Sequence, residues 1–141
     1  MFDDATIRNS GRRFILIFLL IILIAGTWFL FLRNDEIDAQ EASDLIVGEW
    51  IRTDGPYTIK IIELEDKGGM QAEYYNPGAI HVGRSEWRVS DGELQVYVKL
   101  QDKNYPGSTY ELRYLADKQL LSGTYYQAVD RQTYKVEFAK K

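Results

Sequence analysis

From Ile46 to the C-terminus, apolar and polar side chains alternate, and turn residues break the alternation about every ten positions. Strands are expected at residues 47–53, 57–64, 70–75, 80–89, 94–101, 109–114, 120–127 and 134–138. The fourth is irregular, with a bend expected at Gly83. The fifth is the clearest case: Leu94, Val96, Val98 and Leu100 share one face, and Gln95, Tyr97 and Lys99 the other. Asp54-Gly55-Pro56, Asn76-Pro77-Gly78 and Ser90-Asp91-Gly92 supply turns between strands. Seven or eight short strands joined by short loops predict an all-β domain, an antiparallel meander closed into an up-and-down barrel, with a β-sandwich as the alternative. Ile59, Ile61, Val96, Val98, Leu112, Val136, Phe138 and several tyrosines form the expected inward set. That set is bulky and predicts a mostly filled interior.

A different pattern precedes the domain. Residues 14–32 read FILIFLLIILIAGTWFLFL, without a charge. A bilayer core needs roughly 20 apolar residues in a helix, so the run is long enough to cross. It is too long, and too bulky at Trp28 to Leu32, for an ordinary cleaved signal peptide, and a helix apolar on every face suits no buried position of a small domain. A single uncleaved signal anchor, a transmembrane helix contacting the lipid bilayer through residues 14–32, is the expectation. Arg8, Arg12 and Arg13 precede the run, whereas residues 33–45 carry Arg33 against five acids. The positive-inside rule then places tail 1–13 in the cytoplasm and residues 33–141 outside it. For a bacterial chain this means the inner membrane, with the C-terminal domain periplasmic or extracellular. Residues 33–45 are expected to be an acidic linker, either a solvated tether or a frayed helical continuation, and residues 46–141 the β domain.

Charge and composition narrow the functional classes. The formal net charge is −4, and residues 33–45 account for it. With no basic patch in these counts, nucleic-acid binding is not expected. The chain contains no cysteine, so disulfides, thiolate metal sites and a cysteine nucleophile are excluded. His81 is the single histidine and cannot by itself form a histidine metal cluster. Glu49, Glu63, Glu73 and Glu86 lie on expected strands, where carboxylates usually face solvent; a converging pair would be needed for glycosidase chemistry. No catalytic residue, metal ligand or cofactor-binding motif is assigned.

Val47-Gly48-Glu49-Trp50 resembles the G-x-W motif that opens lipocalin and avidin-like barrels, the calycin group. Leu121-Ser122-Gly123-Thr124-Tyr125 echoes a G-x-aromatic pattern on a late strand. The resemblance implies a barrel with Gly48 and Trp50 as structural residues, the tryptophan plugging one end, and Arg131 packing across it. It carries over no ligand. Two further stretches, Tyr57 onward with Asn76-Pro77-Gly78, and residues 104–110, resemble a small group of bacterial membrane-anchored proteins and imply no activity.

The ten tyrosines fall almost entirely on strands. Packing explains most of them. Tyr75, Tyr97 and Tyr126 lie off the core register and Tyr105 lies in a loop, so these four are the candidate binding surface. The functional expectation is a non-catalytic binding module, accessory to a protein partner in the envelope. The alternatives are a small-ligand carrier of the lipocalin kind and an envelope enzyme working through carboxylates.

Overall fold

The computed structural model describes residues 37–141; the expected span at residues 14–32 and the tail before it lie outside them. Among the described residues no helix is long and apolar enough to cross a membrane.

Among the described residues, one α-helix and nine strands, with a 3-10 turn at Asp66–Gly68 between the second and third, follow in order: α1 (Ala39–Ile46), β1 (Gly48–Arg52), β2 (Thr58–Leu64), β3 (Met70–Asn76), β4 (Gly78–Ile80), β5 (Val82–Ser90), β6 (Glu93–Asp102), β7 (Tyr105–Leu115), β8 (Leu120–Gln127) and β9 (Gln132–Lys140). All nine strands belong to one antiparallel sheet in the order β4-β3-β2-β1-β9-β8-β7-β6-β5, which excludes the sandwich. The two end strands are consecutive in sequence and separated only by His81, so β4 and β5 are one strand broken in two. Its first part pairs with β3 and its second with β6. Gly83 sits in a register shift just after the break, as the expected bend required. A bridge between Gly69 and Glu86, and a bond from the Ser85 hydroxyl to the Met70 carbonyl, bring β5 against β3. The sheet thus curls into a nearly closed barrel with eight strand positions.

The barrel is solid. Trp50, Tyr74, Tyr110 and Phe138 are fully buried in it, among Ile59, Ile61, Val98 and Leu121. Strand register explains this: Val96, Leu112, Gly123 and Val136 form one inward row across β6 to β9, with polar rows on either side facing out. Gly123 is needed in that row for space. A Cβ there would stand 2.0 Å from the Glu111 carbonyl oxygen, so β8 presses backbone to backbone against β7.

Residues 33–45 are not wholly a tether. Asp38 caps α1 by accepting from the Glu41 N–H at 2.8 Å, and Ala42 and Ile46 are fully buried in the barrel core. The domain therefore begins near Ile37 and not at Ile46. The apolar residues of α1 recur at helical spacing, which a count of acids hides. The loop expected between the fifth and sixth strands is also shorter, since β7 already starts at Tyr105.

Candidate functional site

The two ends of the barrel differ in chemistry. At one end α1 closes the core. The Trp50 indole N–H donates to the Ile46 carbonyl at 2.8 Å, satisfying the end of the helix, and Tyr114 meets the ring edge-on at 6.2 Å. Lys140 lies over the indole, its Nζ 5.5 Å from the ring centre, and donates to the Leu45 carbonyl at 3.0 Å. Gly48 stands at φ 138°, where β1 leaves the helix, and a Cβ there would meet Lys140 Cε at 3.0 Å. Trp50 is fully buried at this end, and Gly48 opens β1 two residues before it. Arg131 is not beside them. It lies exposed in the β8–β9 turn at φ 55°, nine residues before Lys140. At about 3.3 Å per residue that puts it on the order of 30 Å along the strand from the tryptophan. Lys140 is the cation over the ring because β9 pairs with β1 at Trp50 only near its C-terminal end.

At the opposite end the interior turns polar. Six of the ten tyrosines gather there: Tyr57, Tyr74, Tyr105, Tyr110, Tyr125 and Tyr134. Tyr74, Tyr110, Tyr125 and Tyr134 form a continuous run of rings, with centroids 5.5, 4.5 and 6.4 Å apart in turn, leading from the core to the surface. The Tyr74 and Tyr110 hydroxyls are hydrogen-bonded at 3.0 Å, and Asn76 donates to the Tyr105 hydroxyl. Arg52, at the end of β1, enters this group. Its guanidinium carbon lies 4.6 Å from the centre of the Tyr57 ring and 5.9 Å from that of Tyr125. Asp54, two residues on, faces the same guanidinium, with Nη2 donating to Oδ2 at 2.8 Å and Nε 2.5 Å from Oδ1.

This geometry sets the titration of the groups. Burial raises the Tyr74 phenol, assisted by Tyr110 beside it, and pushes the Tyr110 phenol up to about 12. The hydrogen bond from Arg52 holds the Asp54 carboxyl below its ordinary range. Unfolded tyrosine titrates near 10. Between that value and about 12 the unfolded chain has released the Tyr110 proton and the folded domain has not. Stability from this group is complete below about pH 10 and falls as pH rises towards about 12, by about 3 kcal/mol. Urea unfolding at about pH 8 and about pH 11.5 should show the drop, and Tyr110→Phe should reduce it. A wild-type midpoint unchanged between the two would contradict the burial of Tyr110.

The four tyrosines expected to form a binding surface do not come together. Tyr75 faces outward on β3 and donates to Glu73 at 2.7 Å. Tyr97 faces outward on β6, where Arg84 lies over its ring at 5.7 Å. Tyr126 is outward on β8, two strands further round. Only Tyr105 belongs to the polar end. The grouping tyrosines lie mostly on the inward register, and strand alternation alone assigns those to packing. The signal for them was their shared position near the same ends of their strands.

Other candidate chemistry is dispersed. Glu49, Glu73 and Glu86 are each held by a neighbour, Lys141, Tyr75 and Arg84 respectively, and Glu63 is exposed. His81 is exposed in the strand break, its backbone N–H donating to Asp102 at 3.2 Å. Among the described residues no group of three or more His, Cys, Asp or Glu could hold a metal ion. A groove of about 1170 Å³ runs across the outer face of β5 to β9. It reaches Asp54 and the Lys67–Gly69 turn, residues of the inward row also line it, and four acids (Asp54, Glu86, Glu111, Glu137) are set among four bases (Lys67, Arg88, Arg113, Lys135).

Fold and site together define a small, filled, up-and-down meander barrel with one plugged end and one tyrosine-arginine end. The chain matches no protein-family model, no curated protein and no solved structure.

Proposed function

We propose that the protein is a single-pass membrane protein of a bacterial envelope, anchored by residues 14–32, whose calycin-like barrel is a non-catalytic binding module outside the cytoplasm. The cluster of six tyrosines at one end of the barrel, two of whose rings (Tyr57 and Tyr125) flank the Arg52 guanidinium, carries the binding half of this reading. Rigid rings, hydroxyls and one fixed positive charge suit recognition. They include no nucleophile paired with a base. The carrier alternative loses support because bulky side chains occupy the interior where a lipocalin-like ligand would sit. The anchoring half rests on the uncharged apolar run, the arginines before it and the acids after it. An envelope component is the partner this placement favours.

Because the chain has no cysteine, one introduced thiol reports topology without background. A membrane-impermeant maleimide is expected to label Asp117→Cys, in the exposed β7–β8 turn, in intact spheroplasts, and Ser10→Cys only after lysis. The reverse pattern overturns the orientation. For the binding half, a photo-crosslinking phenylalanine analogue at Tyr134 should give a discrete adduct in whole cells, with none at Asp117. Absence of any adduct at Tyr134 counts against the mouth as a binding site.

A further inference from the structure

Arg52 already holds a carboxylate, and the chain itself supplies it. The two partners are unequally placed: the Arg52 side chain is 12% exposed and that of Asp54 57%. Rings and barrel wall shield the guanidinium on its other sides, so its counter-ion approaches from solvent. Asp54 also pairs imperfectly. Both its oxygens face the Nε and Nη2 edge, the arrangement of a two-point arginine–carboxylate pair. Yet the buried Nε–H makes no hydrogen bond, although its nitrogen is 2.5 Å from Oδ1. A carboxylate tethered two residues away on the tight β1–β2 turn does not meet both N–H directions. A free carboxylate arriving in the guanidinium plane is under no such constraint. The Tyr57 and Tyr125 rings flank the guanidinium, and Tyr134, 40% exposed, continues the aromatic run outward from Tyr125. A flat ring borne next to a carboxylate would meet these faces while its acid group took the arginine.

We propose that Asp54 occupies the seat of an external ligand, a carboxylate carried on a flat aromatic or sugar ring, and swings out when that ligand binds. This rests on the reading of the tyrosine-arginine end as a binding site.

The test is titration of the full chain in detergent micelles with benzoate and glucuronate as probes, and benzyl alcohol and methyl glucoside as their neutral counterparts. At least one acid should bind and its neutral counterpart should not; which acid binds identifies the ring. Asp54→Asn frees the arginine fork, and loss of an exposed ion pair predicts roughly three- to fivefold tighter binding than wild type. Arg52→Lys keeps the charge but removes the fork, and should weaken binding by about tenfold or more. Circular dichroism confirms that each variant is folded. Equal affinity in wild type and Asp54→Asn, or a neutral counterpart that binds as well as its acid, overturns the proposal and leaves the mouth a binding site. No binding of any probe to wild type or Asp54→Asn overturns it as well, and the crosslink at Tyr134 then decides the broader reading separately.

Discussion

Trp50→Ala is expected to cost the domain about 4 kcal/mol, the range found when a large buried aromatic is removed. The reasons are cumulative. The indole is fully buried, so its apolar surface is lost and a cavity remains beneath α1. The Ile46 carbonyl loses its donor at the end of the helix. Lys140 loses the ring it lies over, and Tyr114 its edge-to-face partner. For a domain near 100 residues this corresponds to a fall in melting temperature of about 20 °C or more. Trp50→Phe should cost clearly less, because it retains most of the ring but not the N–H. A loss under about 1 kcal/mol for the alanine variant, measured by urea unfolding, would mean the tryptophan is not the plug of the barrel.

Gly123→Ala should be comparably damaging for the opposite reason. One added methyl would lie 2.0 Å from the Glu111 carbonyl oxygen, 3.0 Å from its carbonyl carbon and 2.9 Å from Leu112 Cα. All three atoms are backbone, so no side chain can rotate away. Either β7 and β8 separate at the Leu112–Gly123 pair or the strand shifts register. Overpacking usually costs about 1–3 kcal/mol, and a collision with fixed backbone belongs at or above the top of that range. Gly78→Ala is the control, since a Cβ there meets nothing within 4 Å. Unfolding midpoints for the two variants should differ widely; if they coincide, β7 and β8 do not approach as closely as the structure has them.

Much of the β domain was legible in the chain. The inward set Ile59, Ile61, Val96, Val98, Leu112, Val136 and Phe138 is buried throughout. Alternation has period two, and a strand with one face on a core has no freedom to reverse it. The bend near Gly83 was legible for a similar reason: glycine interrupts a strand pattern where the ladder shifts. Helix α1 was legible in principle. Asp38 three residues before Glu41, followed by Ala42, Leu45 and Ile46, carries a cap and an apolar face. The density of acids around it suggested a solvated spacer because charge count and periodicity pointed different ways, and burial of the apolar face decided between them.

The candidate site was much less legible. Tyr134 illustrates why: its inward register predicts packing, yet it is 40% exposed because the barrel ends beside it. Arg131 failed for a related reason, since nearness to the start of β9 says nothing about which end of the barrel that start occupies. By itself, the sequence determined the alternation, hence the strands and the faces they bury, through local stereochemistry and the cost of burying polar groups. Only the tertiary structure decided which strand ends meet. Closure of the meander pairs β1 with β9, seats Lys140 over Trp50, and brings Arg52 against Tyr57 and Tyr125 within one tyrosine cluster. Those contacts join residues as many as 90 positions apart, such as Trp50 and Lys140. No local pattern encodes them, because they follow from the register and curl of the whole sheet.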